Sequence, residues 1–321
     1  MIAYQQHLLS VNGIELSVQV AGPEHGRPVW LLHGFPECWY SWRYQVPVLV
    51  EAGFRVFVPE MRGYGRSSAP EAVEAYDLLT LCADIQHAMD AFGHQRVCMV
   101  GHDWGAPVAW HLALLEPQRV GALVTLSVPF AGRPKRPASE IMRQVHGEHF
   151  NYILYFQQPG VAEAELDRDI DASLRLFMGN VGALLVPKPA DARLFDGLTV
   201  PDGLPAWCSE EAFQVYRQTF AGRGFRGALN WYRNFERTWQ RTEFLQDAQV
   251  QLPTLFLIGD QDPVGVLEAH TLKRMPGRVS DLEQHVLVDC GHWIQSERPQ
   301  HVNELLLDFL QRRFPEAPPR G

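Results

Sequence analysis

Five short apolar runs bounded by turn residues mark the first part of the chain, at residues 14–20, 28–33, 54–59, 96–101 and 122–128. Runs of this length with little polar alternation read as strands buried on both faces. Between them, residues 39–52, 78–92 and 105–115 have the length and the 3.6-residue apolar spacing of helices. Strand and helix in alternation predict a mostly parallel central sheet with helices on both faces, an α/β fold. The pattern then changes: residues 131–246 hold no strand-like run and are rich in helix formers, Gly, Pro and aromatics. Alternation resumes with a strand at 253–259, a helix at 267–274, a strand at 282–288 and a closing helix at 301–314. The sequence therefore predicts a core made of residues 1–130 and 247–321, with a helical lid, residues 131–246, inserted between its two parts. A Pro-rich tail at 315–319 is expected to fray.

Composition narrows the function classes. At 46% hydrophobic and 20% charged residues, the 321-residue chain is too apolar for disorder and long enough for one large domain with an insertion. Its net charge of −9 and the lack of any Lys/Arg-rich run argue against a nucleic-acid partner. The five cysteines (Cys38, Cys82, Cys98, Cys208, Cys290) are odd in number, scattered and free of C-x-x-C spacing. They predict reduced thiols and a cytoplasmic protein rather than a disulfide framework or a zinc site. No uncharged apolar stretch approaches the ~18–20 residues of a membrane span, and the N-terminus lacks a basic region followed by an apolar one. Neither export nor membrane insertion is expected.

Three segments carry candidate chemistry. Gly101-His102-Asp103-Trp104-Gly105 stands where the run 96–101 meets a helix. Small residues two before and two after a polar one are what a sharp strand-turn-helix elbow requires, because larger flanking side chains would collide. The motif would lift Asp103 to the rim of the sheet; the plainer alternative is a helix cap. His33-Gly34-Phe35-Pro36 follows the buried run 28–33, so the backbone N–H of Phe35 can pair with that of Trp104 as an oxyanion hole. Asp289-Cys290-Gly291-His292-Trp293 follows the last strand, where a nucleophile–acid–histidine chain order puts the base, His292. The acid should lie between, and Asp260 and Asp262 both follow the strand 253–259. The other slot, after 122–128, holds Pro129 and Phe130, which cannot serve. His102 is expected to be buried and hydrogen-bonded. Phe35, Trp104 and Trp293 are candidate walls of a substrate pocket.

With these residues in place the chain resembles the epoxide hydrolases of the α/β-hydrolase fold, most closely the hydrolase domain of the soluble, vertebrate-type enzymes. The resemblance runs over nearly the whole chain and continues into the insertion. The stretches 151–166 (Asn-Tyr-Ile-Leu-Tyr-Phe-Gln-Gln-Pro-Gly-Val-Ala-Glu-Ala-Glu-Leu) and 224–234 (Gly-Phe-Arg-Gly-Ala-Leu-Asn-Trp-Tyr-Arg-Asn) are similar to the two that carry that family's paired tyrosines. The turn Arg62-Gly63-Tyr64-Gly65-Arg66-Ser67 also resembles the family's. Carried over, the pair is Tyr152 and Tyr232, while Tyr155 and Tyr216 are expected to pack within the lid. The family's acid falls on the loop beyond the strand, which selects Asp262 and leaves Asp260 to pin the turn.

The resemblance implies an epoxide hydrolase that adds water to a small apolar epoxide to give a vicinal diol. Asp103 would form an alkyl ester, Tyr152 and Tyr232 would activate the ring oxygen, and His292 with Asp262 would hydrolyse the ester. It implies no cofactor and no metal, and leaves the assembly open, a homodimer included. The alternative is a haloalkane dehalogenase-type hydrolase, which shares an Asp nucleophile followed by Trp. Its halide must be gripped by N–H donors, usually with Asn or a second Trp, where this chain has Phe35 in the His-Gly loop and a tyrosine pair in the lid.

Overall fold

The computed structural model describes residues 2–130, 132–147, 149–179 and 181–315. Beyond Pro315, the tail expected to fray lies outside the described residues. Eight strands form one sheet in the order β1-β2-β4-β3-β5-β6-β7-β8. They are β1 Gln5–Val11, β2 Ile14–Ala21, β3 Arg27–Leu32, β4 Phe54–Pro59, β5 Val97–His102, β6 Val120–Leu126, β7 Val250–Gly259 and β8 Val279–Leu287. From β4 to β8 every neighbouring pair is parallel, while β1 and β2 add an antiparallel margin. β1 and β2 are joined at Asn12-Gly13, both at positive φ, the conformation a two-residue hairpin turn demands.

Alternation of side chains across the sheet builds two cores. Val29, Leu31, Val56, Val58, Cys98 and Val100 face one layer, which contains the helices Gln45–Glu51 and Pro299–Arg313. Trp30, Leu32, Phe57 and Met99 face the other, against the helices Leu78–Ala91 and Gly105–Leu115. Because both faces are covered, β5 and β6 are buried at every position, and this is why their sequences read as unbroken apolar runs.

Between β6 and β7 the chain leaves the sheet, and its described helices run from Ala138–His146 to Phe235–Arg241. This block sits on the core through specific polar contacts as well as apolar ones. Arg241 and Arg237 pair with the buried Asp77 at 2.5 and 3.1 Å, and the indole N–H of Trp231 donates to the carbonyl of Arg62 at 3.0 Å. The Arg62 guanidinium is itself held by Asp84 at 2.6 Å, so the turn after β4 is a docking platform for the insertion. All five cysteines are buried and unpaired. Among the described residues no helix is long and apolar enough to cross a membrane.

Candidate active site

Parallel strands share one C-terminal edge, so the loops after β3, β5, β6, β7 and β8 converge there. At the end of β5 the chain turns into the helix Gly105–Leu115 through Asp103, whose φ is +48°. A non-Gly residue in that region costs on the order of 1–3 kcal/mol and persists only where its surroundings impose it. Here they do: a Cβ on Gly101 would stand 2.3 Å from the carbonyl oxygen of Gly105, and one on Gly105 would stand 2.2 Å from that of Leu32. The elbow therefore closes only with both glycines, as the sequence spacing predicts. Gly34 matters in the same way, because a Cβ there would lie 2.3 Å from Asp103 Oδ1 and 2.6 Å from the Trp104 nitrogen. The loop after β3 thus lies against the elbow, and the Phe35 N–H donates to Asp103 Oδ1 at 2.6 Å. Trp104 opens the helix, so its N–H is one of the donors without an intrahelical partner.

The other oxygen of Asp103 faces the loop after β8. Oδ2 lies 3.5 Å from His292 Nε2, and the opposite ring nitrogen, Nδ1, is 3.1 Å from Asp262 Oδ1. Asp262 also caps the helix Pro263–Leu267, accepting from the Val264 N–H at 3.0 Å, which fixes its rotamer. Burial raises the Asp262 carboxyl, but His292 beside it and the hydrogen bonds it accepts outweigh this and hold it at about 2. Burial lowers His292, yet the flanking carboxylates of Asp262 and Asp103 prevail and lift its pKa well above that of a free imidazole. Asp260 was expected to pin its own turn by a local hydrogen bond; its carboxylate instead accepts from the distant Cys290 N–H at 3.1 Å and ties the β7 and β8 loops together.

Two features were not anticipated. The slot at the end of β6 is filled by Ser127, not by Pro129 or Phe130. Its hydroxyl donates to Asp262 Oδ2 at 2.6 Å and lies 3.1 Å from His292 Nδ1. The second is a buried polar cluster beneath His292. His102 Nε2 is 2.8 Å from the His292 carbonyl oxygen, His102 Nδ1 is 2.8 Å from Glu37 Oε2, and Gln295 donates to Glu37 Oε1 at 2.8 Å. Burial would raise Glu37, but His102 and the Gly34 N–H hold it at about 2. The expectation of a buried, hydrogen-bonded His102 is met. Glu37 could have been noticed as a carboxylate just after the His-Gly loop.

Above Asp103 the insertion covers a small cavity lined by Asp103, His292, Tyr152, Tyr232, Phe35 and Trp293 among others. Tyr152 begins the helix Tyr152–Tyr155 and Tyr232 ends the helix Arg226–Tyr232; their rings meet edge to face with centroids 6.2 Å apart. Burial, and then the charge of Asp103, raise both phenol pKa values well above that of free tyrosine. Trp104 is half-buried beside Asp103, and its ring stands against Tyr232, Trp231 and Phe235, supporting the part of the wall that Tyr232 forms. Tyr155 and Tyr216 point elsewhere, bonding Glu165 at 2.6 Å and Ser41 at 3.2 Å. Among the described residues no group of three or more His, Cys, Asp or Glu is arranged to hold a metal ion.

Residues 27–299 match the family described as alpha/beta hydrolase fold. The chain is 44% identical to epoxide hydrolase A of Mycobacterium tuberculosis over 97% of this chain and 98% of that protein. It is 39% identical to bifunctional epoxide hydrolase 2 of Sus scrofa, over 89% of this chain and 52% of that one, so it spans about half the length of the mammalian relative. The crystal structure of epoxide hydrolase A from Mycobacterium thermoresistibile superposes with a TM-score of 0.92 at 42% identity, covering 96% of this chain and 98% of that one.

Proposed function

This chain belongs to the α/β-hydrolase fold family and, within it, to the epoxide hydrolases, and on that premise we propose that it converts a small apolar epoxide and water into a vicinal diol through an ester on Asp103. The observation that carries the reading is one cavity in which a carboxylate, an imidazole and two phenols from the insertion face the same space. A strained three-membered ether needs a nucleophile at carbon and a hydrogen-bond donor at oxygen. Asp103 attacks a ring carbon and the carbon–oxygen bond opens; the oxygen, still tethered through the other ring carbon, is held by the hydroxyls of Tyr152 and Tyr232 and takes a proton from one of them, which is regained from solvent, so the ester carries a 2-hydroxyalkyl group. Both phenols, raised by burial and by Asp103, stay protonated donors across the ordinary pH range. In this reading residues 131–246 act as the lid that carries these donors.

The second step hydrolyses the ester. Esterification removes the charge of Asp103, one of the two carboxylates that raise His292, so the imidazole becomes easier to deprotonate once the intermediate has formed. His292 Nε2 takes a proton from water as the water oxygen bonds to the Asp103 carboxyl carbon. The N–H groups of Phe35 and Trp104 receive the oxyanion; then the alkoxide leaves with the proton from His292. The alternative, dehalogenase-type reading is weakened by the cavity wall, where Phe35 and the two phenols stand in place of the N–H donors that would grip a halide.

The two-step route makes a distinctive isotope prediction. With enzyme in excess over epoxide in heavy-oxygen water, one turnover should yield nearly unlabelled diol and leave the heavy oxygen in the peptide containing Asp103. His292→Gln should accumulate an adduct heavier than the enzyme by one epoxide. Fully labelled first-turnover diol, with no adduct in the His292 variant, would show that water attacks the epoxide directly. The choice of acid has its own test. Asp262→Ala should slow ester hydrolysis by roughly 10²–10⁴-fold, because the imidazole loses its orienting partner. Asp260→Ala removes one contact of an exposed side chain and should lower stability only slightly, with little effect on turnover. A larger catalytic loss in the Asp260 variant, measured by rapid-quench kinetics, would reverse the assignment.

A further inference from the structure

Ser127 is the first residue past β6, where the chain leaves the sheet toward the insertion. Its φ of +72° breaks the strand, while its N–H still donates to the Leu257 carbonyl of β7 at 2.8 Å. The next residue is fixed as well, since the Trp110 indole N–H donates to the Val128 carbonyl at 3.0 Å. Serine has no special tolerance of a left-handed backbone, so a glycine or asparagine would be the ordinary occupant of this turn. A strained, fully buried serine calls for a reason in its side chain.

The geometry points to Ser127 as a positioning residue that locks the Asp262–His292 pair for the ester-hydrolysis step, an assignment that rests on the two-step reading above. Asp262 has two buried oxygens to satisfy. Oδ1 receives the His292 Nδ1–H and the Val264 N–H, at 3.1 and 3.0 Å. Oδ2 has the Ser127 hydroxyl, at 2.6 Å, and no other protein donor among the described residues. The same hydroxyl oxygen lies 3.1 Å from His292 Nδ1 and offers a lone pair to the N–H there. Asp262, Ser127 and His292 thus form a closed triangle in which the serine donates to the acid and accepts from the base. Two consequences follow. The carboxylate cannot rotate about its Cβ–Cγ bond without losing the serine, so Oδ1 stays aimed at the imidazole. The proton of the neutral imidazole is also held on Nδ1, which leaves Nε2, the nitrogen facing Asp103, as the lone pair that must take a proton from water. The hydrogen bond from Ser127 is one of the influences that keep the Asp262 carboxyl low.

Because ring opening uses Asp103 and the tyrosines rather than Nε2 as a base, loss of the serine should slow only the second step. When hydrolysis alone slows, the ester accumulates and kcat falls together with KM, while kcat/KM, set by alkylation, is preserved. Ser127→Gly is the informative variant, since glycine accepts the +72° backbone and removes only the hydroxymethyl group. Ser127→Ala is its companion, and Ser127→Asn restores a donor on a residue that tolerates positive φ. With styrene oxide, Ser127→Gly should lower kcat about 10–100-fold, lower KM in step, leave kcat/KM within threefold, and show adduct by intact mass during turnover. Ser127→Asn should recover most of kcat. A Ser127→Gly kcat within twofold of the parent enzyme overturns the assignment, as does a fall in kcat/KM equal to the fall in kcat with no adduct. The same mass measurement on His292→Gln separates the two failures. Adduct in His292→Gln but not in Ser127→Gly removes the role of Ser127 alone, whereas no adduct in His292→Gln removes the ester route and this role with it.

Discussion

Asp103→Ala is expected to abolish diol formation, with a loss of at least ~10⁴-fold, while leaving a folded protein. The loss is large because Asp103 is the one carboxylate among the residues lining the cavity, and Asp262 is turned away behind His292. Without Asp103 there is no atom to carry the alkyl group, so the remaining tyrosines and imidazole cannot complete either step. Folding should survive for a separate reason. Asp103 makes no capping bond to the following helix; what holds the elbow is the close approach of Gly101, Gly105 and Gly34. The substitution leaves the Phe35 N–H without its acceptor and puts alanine at φ +48°, which together should cost about 1–3 kcal/mol. Diol quantified by chromatography beside a thermal melt checks both halves. Activity within tenfold of the parent enzyme would mean that the nucleophile lies elsewhere.

The parts legible in the sequence are those in which chemistry and packing leave local marks. β3 to β6 are buried on both faces and therefore appear as unbroken apolar runs, whereas β1, at the open margin of the sheet and half exposed, has the polar sequence Gln5-Gln6-His7 and was missed. The helix expected over 39–52 is two pieces, a short 3₁₀ turn at Trp39–Trp42 and the helix Gln45–Glu51. Pro47 explains the break: proline lacks the N–H that an interior helical position needs, so the helix must start within a turn of it. The helix expected over 267–274 is found as Ala269–Arg274, and a separate short helix, Pro263–Leu267, precedes it. In the site, Asp103 and His292 stand out as candidates in the sequence because each lies just past a strand end near glycine, whereas Asp262 is separated from Asp260 only by the resemblance. Ser127 does not stand out, because a serine after a strand resembles any turn residue until its distance to Asp262 is known. Nor could the sequence reveal that the Trp104 ring packs edge to face on Tyr232, since an indole's direction depends on neighbours far along the chain. The tyrosine pair was legible only by resemblance: no spacing rule connects two residues on separate helices of an insertion.

That pair carries the second large effect. Tyr152→Phe or Tyr232→Phe alone should slow turnover by roughly 10–10²-fold, since one hydroxyl still reaches the ring oxygen, and the double variant should stop ring opening. The argument is electrostatic. The opening oxygen becomes an alkoxide in a cavity walled by Phe35 and Trp293 and already next to the negative Asp103, where water is scarce and an unsolvated anion is costly. Phenylalanine preserves the ring contacts that seat each residue, Tyr152 on Phe156 and Tyr232 on Phe35, so the loss should fall on chemistry rather than on lid packing. Placing both changes in the His292→Gln background makes the test specific to the first step: His292→Gln alone should trap the ester, and the triple variant should trap none. Tyr155→Phe is the control. Its hydroxyl bonds Glu165 at 2.6 Å, away from the cavity, so its removal should weaken the insertion slightly and leave kcat within about twofold. A double variant that still opens epoxides within tenfold of the parent rate would deny the tyrosines their role. Halide release from a chloroalkane by the unmodified enzyme at a rate comparable to epoxide turnover would instead move this cavity toward the dehalogenase chemistry, in which a departing anion rather than a tethered oxygen is what the lid must receive.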